Sequence, residues 1–287
     1  GATSGRLDNG WGVSVAGSYK QGNGWVEQTF TKGYFYYLRV DKSFGNHLFS
    51  FSGFGAPQEH GQRPFRSTIG IVDTALATEL NDNEILSDTA YINRLALVNP
   101  LINRGRQFNE HWGMLNGEAT SLRKNFYHKP QFNLRHFWDN GKTSVSNVAY
   151  MSIGNGGGTA PNSNSAVPRT EDGRMDLDQM YFLNSTPLFG SPDAVSGNFI
   201  RASINNHYWI GGLSTVRSQL SDQLILSGGM DLRYYEGQHY RIVHDLVGGE
   251  YFTSIGNSRI DESESRLKAG DRYQYNNTGF VNWGGVF

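Results

Sequence analysis

The stretch Leu224-Ile225-Leu226-Ser227-Gly228-Gly229-Met230-Asp231-Leu232-Arg233-Tyr234-Tyr235 decides the fold. Leu224, Leu226, Gly228, Met230, Leu232 and Tyr234 fall on one side of a two-residue repeat, and Gln223, Ser227, Asp231, Arg233 and Tyr235 on the other. Period two means a strand, and charges on one side only mean that its faces meet different surroundings. The apolar side suits lipid, while Asp231 and Arg233 suit a wet lumen.

Working outward, the same alternation recurs. Trp11, Val13, Val15, Gly17 and Tyr19 oppose Ser14, Ala16, Ser18 and Lys20, and Tyr34, Tyr36, Leu38 and Val40 oppose Phe35, Tyr37, Arg39 and Asp41. Phe49 and Phe51 alternate with Ser50 and Ser52; Phe132, Leu134 and Trp138 face away from Gln131, Asn133 and Arg135. Ile200, Ala202, Ile204, Tyr208 and Ile210 oppose Arg201, Ser203 and Asn205, and a last run holds Val281, Trp283, Gly285 and Phe287. Between Thr143 and Ile153 two registers are open: the apolar face is either Val145, Ala149, Met151 and Ile153 or the face with Val148 and Tyr150.

Connections alternate in length. Tight turns near 43, 140 and 221 are separated by polar segments at 21–32, 56–128, 154–197 and 236–276, the first pattern being clearest at Asn140-Gly141, a hairpin signal. Short turns at one end and long loops at the other are the habit of outer-membrane barrels. The expected fold is therefore all-β, a transmembrane antiparallel β-barrel segment of about eight strands over 1–287, with long loops at 56–128, 154–197 and 236–276. Gly1 to Leu7 reads as the tail of a strand that begins upstream, and Phe287 resembles the terminal aromatic of complete barrels.

Composition agrees. With 36 glycines, 15 tyrosines, 17 phenylalanines and 6 tryptophans, the chain is only 37% hydrophobic and its mean hydropathy is −0.51. Many aromatics with few aliphatics fit a wall in which alternate residues face lipid and aromatic girdles mark the interfaces. A net charge of −1 gives no field for nucleic acid, so no nucleic-acid partner is expected. The absence of cysteine removes disulfides and thiolate metal sites and suits a protein that crosses an oxidising compartment. No apolar run is long enough for a membrane helix, and no signal peptide opens the chain.

Signals for chemistry are few. Glu59-His60 and Glu110-His111 place a carboxylate beside an imidazole without the HExxH spacing that brings two imidazoles to one helix face. Packing and hydrogen bonding within loops is the simpler reading. Gly154-Asn155-Gly156-Gly157-Gly158-Thr159 lacks the following helix of a phosphate loop and reads as a flexible exit from a strand. The clusters Tyr34-Phe35-Tyr36-Tyr37, Asn206-His207-Tyr208-Trp209 and Arg233-Tyr234-Tyr235 are read as interface girdles, with stacking on sugars or aromatic ligands as the other option. No enzymatic activity, cofactor or metal site is expected.

Several phrases carry a family likeness. Phe54-Gly55-Ala56-Pro57-Gln58-Glu59-His60-Gly61-Gln62-Arg63, Phe108-Asn109-Glu110-His111-Trp112-Gly113 and Asn125-Phe126-Tyr127-His128-Lys129-Pro130-Gln131 resemble the barrel of TonB-dependent outer-membrane receptors. So do Ser152 to Thr159, Asn205 to Trp209 and Asp231 to Tyr235. The resemblance implies a Gram-negative outer-membrane location and a 22-stranded barrel holding an amino-terminal plug, with a segment that engages TonB; neither plug nor segment is matched here. It implies energy-coupled uptake of an iron chelate, cobalamin or a glycan, with the TonB complex, outer-membrane lipids and a surface lipoprotein as partners. Ligand contact is expected from the loop after Phe54, at Gln58, Glu59, His60 and Arg63, and from Asn109, His111 and Trp112, because polar side chains on long outer loops form the natural capture surface. Rival readings are a passive porin or adhesive barrel, an outer-membrane enzyme with hydrolytic loops, and a structural barrel within a secretion or surface complex.

Overall fold

A computed structural model describes residues 1–65, 72, 104–163, 166–187, 192–254 and 266–286. Its strands are β1 (Ala2–Arg6), β2 (Trp11–Gly22), β3 (Thr31–Phe44), β4 (His47–Gly55), β5 (Gln58–Gly61), β6 (Trp112–Leu115), β7 (Glu118–Ser121), β8 (Lys124–His128), β9 (Gln131–Asp139) and β10 (Thr143–Pro161). A helix, α1 (Leu177–Ser185), precedes β11 (Ile200–Gln219), β12 (Ile225–Asp245), β13 (Phe252–Thr253), β14 (Arg266–Leu267) and β15 (Arg272–Val286). Phe287 and the greater part of the 56–128 connection lie outside the described residues.

One antiparallel sheet dominates, in the order β1-β2-β3-β4-β9-β10-β11-β12-β15, with β5 and β8 off this path. This is the wall of a transmembrane β-barrel. Its registers join into continuous rows. Val13, Val40, Phe51, Leu134, Ala149, Gly212 and Leu232 are successive partners, and so are Val15, Leu38, Gly53, Phe132, Met151, Ile210 and Tyr234. The intervening rows belong to the opposite face: Gly12, Asp41, Ser50, Arg135, Val148, Leu213 and Asp231, then Ser14, Arg39, Ser52, Asn133, Tyr150, Gly211 and Arg233. Leu134 and Leu232 are 53% and 54% exposed while Ser50, Asn133 and Ser152 are buried. A face that buries serine and exposes leucine inverts the soluble rule and is the pattern of a lipid-facing wall around a polar interior.

These rows settle the open register. Met151 stands beside Phe132 and Ile210, so Val145, Ala149, Met151 and Ile153 face outward, while Val148 and Tyr150 face in. They also divide the tyrosine clusters by parity. Tyr19 and Tyr34, with ring centroids 4.8 Å apart, and Tyr208 and Tyr234, 6.3 Å apart, lie on the outer face towards the loop side. Trp209 and Tyr235 lie inside. Near the turns a second outer aromatic row holds Trp11 under the Lys42 ammonium and Phe44 stacked on Phe49, with His47, His136 and Trp138 beside them. Two aromatic rows bounding an apolar band are the girdles of an interface protein.

Two expectations change. The connection 56–128 is not one loop: β5 to β8 occupy part of its described portion, and β10 and β12 run on to Pro161 and Asp245. At about 3.3 Å per residue a strand of this length far outruns the roughly 25 Å apolar band even when tilted. The glycine run after Ile153 is ladder rather than a flexible exit, because the sheet lies close on both sides: a side chain at Gly156 would meet the Phe126 carbonyl at 2.9 Å, and one at Gly157 the Ser203 carbonyl at 2.6 Å. Close backbone approach is what glycine permits in a strand.

A further feature links β4 with β5 and β8 with β9. Tyr36 pairs with Gly55 and Gly33 with Gln58, in unbroken register across Ala56-Pro57. His128 pairs with Asn155 and Gln131 with Ser152, again unbroken across Lys129-Pro130. Each pair is one strand interrupted by a proline, which cannot donate to the ladder, although Tyr34 N still donates to Pro57 O and Ile153 N to Pro130 O. The two prolines mark one line at the level of the tyrosine row, Pro57 across from Tyr34 and Pro130 across from Ile153, which pairs with Tyr208.

Candidate functional site

Above that line the connections pack into a crown. α1 starts at Asp176, whose carboxylate accepts from Gln179 N at 2.9 Å, and it buries Leu177 and Met180 with Leu122, Val167, Met175, Ile200 and Val247. Asn184 is 2% exposed. Its amide donates to the carbonyls of Asn198, Leu246 and Val247 and accepts from Gly197 N, tying the helix to β11 and to the end of β12.

Glu27, in the β2–β3 connection, is the hub of the crown. Its carboxylate accepts from Arg174 Nη2 at 2.6 Å and Nε at 3.1 Å, from Trp112 Nε1 at 3.0 Å and from Asn109 N at 3.3 Å. Arg174 also pairs with Asp172 and stacks over Phe108 and Trp112, each ring 5.2 Å away. Two-pronged guanidinium–carboxylate pairing adds geometric specificity to charge, and here it joins three segments distant in sequence.

The seven expected ligand residues separate by role. Asn109 and His111 are buried, 0% and 2% exposed, and Asn109 Oδ1 accepts from His111 N. Arg63 donates to the carbonyls of Arg106 and Phe108. These three hold the crown together. Trp112 joins the hub and also lines a cleft of about 490 Å³ with Thr170, Glu171, Asp172, Arg174 and Asp178. Gln58 and His60 stand on the inner face of β5, where Gln58 and Gln62 flank the imidazole at 3.5 and 3.2 Å, and Glu59 points outward to Lys124 at 3.4 Å. Glu27, Arg174 and Asp172 were not found from sequence, because a lone acidic residue in a polar loop and a Glu-Asp-Gly-Arg turn carry no spacing signal.

The carboxylates around the Trp112 cleft mostly serve the backbone. Asp178 accepts from Asn116 N at 2.7 Å, Asp172 from Arg174 N at 3.2 Å, and Asp176 caps α1. Among the described residues no three His, Asp or Glu side chains converge as metal ligands. The arrangement can bind and position a polar ligand.

Below the crown, the inner wall is charged but paired. Arg39 meets Asp41 at 2.8 Å and Arg233 meets Asp231 at 2.9 Å, with the Arg233 guanidinium 5.6 Å from the Trp209 ring. Tyr150 lies edge-on to Trp209 at 5.9 Å and 89°, and passes over Gly211, where any side chain would collide with its hydroxyl. Towards the crown the inner side turns cationic. Burial first, and the charge of Arg201 second, hold the Arg123 guanidinium below its ordinary pKa, with Glu110 opposing.

No family model and no curated protein matches the sequence. Among solved structures the chain is similar to the ferric-catecholate import receptor Fiu of E. coli K12 in its closed form, at a TM-score of 0.52 and 11% identity. The match covers 95% of this chain and 33% of that one, so the chain spans about a third of the receptor's length. At this identity the likeness establishes the fold, an outer-membrane β-barrel wall.

Proposed function

We propose that the chain is wall and crown of an outer-membrane, TonB-dependent transporter that takes up a ligand such as an iron chelate, cobalamin or a glycan without chemical change. The observation that carries this reading is the two-faced ladder, lipid-facing outside and charged inside, laid on the fold of an import receptor. The crown would catch ligand and the TonB complex, acting through a plug, would open the path. Within the expected set, Gln58, His60 and Trp112 have the orientation for ligand contact, while Arg63, Asn109 and His111 shape the crown and Glu59 faces outward.

The test is uptake by cells that depend on this protein, offered an iron catecholate, cobalamin and an oligosaccharide with TonB present or deleted. Saturable uptake of one class that disappears with TonB supports the proposal. Uptake that survives TonB deletion and rises linearly with concentration supports a passive porin instead, and no uptake of any class together with stable capture into a larger complex supports a structural barrel.

A further inference from the structure

A cleft of about 540 Å³ opens beside Pro57, on the outer face rather than in the lumen. Its walls come from Tyr34 on β3, Phe126 on β8, Ile204 and Asn206 on β11 and Tyr240 on β12, with Lys32 at its rim. The registers fix their side. Lys32 and Tyr34 continue the outer positions Tyr36, Leu38 and Val40, Phe126 pairs with Gly157, which pairs in turn with Ile204, and Ile204 pairs with Tyr240, an even-numbered position of β12 like the outward Met230, Leu232 and Tyr234. Asn206 Nδ2 donates to the Tyr240 hydroxyl at 3.2 Å, and the Arg272 guanidinium lies over the Tyr240 ring, 3.9 Å from its centre.

We propose that this cleft is a lipid site, holding a phosphate-bearing membrane lipid with an acyl chain against Phe126 and Ile204 and its phosphate at Lys32. The cleft is continuous with the lipid-facing band through Tyr34, which belongs to the loop-side tyrosine row, so its mouth stands at headgroup depth. The charge agrees. Lys32 stands directly across from Glu59, and Glu59 is already engaged by Lys124 at 3.4 Å, so the rim carries one positive charge in excess among these three groups. An ammonium beside an apolar slot at an interface matches a phosphorylated lipid, whose two ends have those two chemistries.

The proposal rests on the membrane placement of the wall, and its test separates the two. A photoreactive amino acid is placed at Leu134, in the middle of the outer band, or at Phe126, in the cleft, of the full-length protein in living cells. Folding is confirmed by the mobility shift of the unheated protein on gels. Lipid adducts at both positions, with the phosphorylated-lipid adduct at Phe126 falling about fivefold in the Lys32→Glu background while that at Leu134 is unchanged, are the expected result. An adduct at Leu134 alone, a protein adduct at Phe126, or a Phe126 adduct indifferent to Lys32→Glu overturns the lipid site and leaves the wall intact. No lipid adduct at either position overturns the placement of the wall itself. Filling the slot with Ile204→Trp gives an independent check: lipid phosphorus retained through detergent washing falls if the site exists and stays level if it does not.

Discussion

The wall and the crown use the same kinds of residue to opposite ends. In the wall, leucine, phenylalanine and valine are exposed and serine is buried; in the crown, Leu122, Met175, Leu177 and Phe199 are buried and the charges sit outside or pair. Arg233 and Asp231 in the wall are two apart on one strand, so their pairing follows from the period of the strand. Arg174 and Glu27 in the crown are 147 residues apart and meet only because the loops fold. The wall thus obeys a local rule and the crown a global one.

That contrast can be broken by substitution. Leu134→Arg puts a charge at the centre of the outer band and is expected to cost about 2–4 kcal/mol in membrane folding, whereas Arg135→Leu, one residue along and inward, costs far less. Reversible unfolding in lipid vesicles reads the difference, and equal costs would show that the two sides do not differ. Glu27→Ala is expected to cost the crown about 1–3 kcal/mol by leaving Arg174, Trp112 and Asn109 N without their shared acceptor, with no change in the wall. Hydrogen exchange should then rise over 104–123 and 166–176 and stay level in β9 to β12. A change spread through both would mean that crown and wall fold as one unit. Asn184→Ala removes the donor to three carbonyls and is expected to loosen α1 by a similar or smaller amount, about 1–2 kcal/mol, detected as earlier proteolytic cleavage near the helix. His60→Ala is expected to move stability by less than about 0.5 kcal/mol, since its partners are other side chains at a wet surface.

The same contrast explains what was legible in the sequence. Alternation in Trp11–Lys20, Tyr34–Asp41 and Leu224–Tyr235 gave the strands, their faces and the tight turns, because a strand's period is written in adjacent residues. It could not choose between registers at Thr143–Ile153, where Val148 and Tyr150 are as apolar as Val145 and Met151; the neighbouring strands made that choice. It read the glycine run after Ile153 as loop because glycine has low strand propensity, and tertiary pairing with β8 and β11 overrode that preference. In the crown, Asn109, His111 and Trp112 were expected at the ligand; the structure shows Asn109 and His111 buried and Asn109 and Trp112 bonded to Glu27, which had no local signature in the sequence.

A cysteine scan from Ser144 to Ile153 tests the central claim most directly, since the chain has no cysteine of its own to confuse the labelling. In protein folded in lipid, probes at 145, 149, 151 and 153 should be quenched by lipid-borne quenchers and resist a water-soluble thiol reagent, and probes at 146, 148, 150 and 152 should do the reverse. That two-residue alternation is the result expected of a membrane wall with a polar interior. Water access of equal strength at all these positions, or quenching by lipid on the Val148 and Tyr150 side, would contradict it.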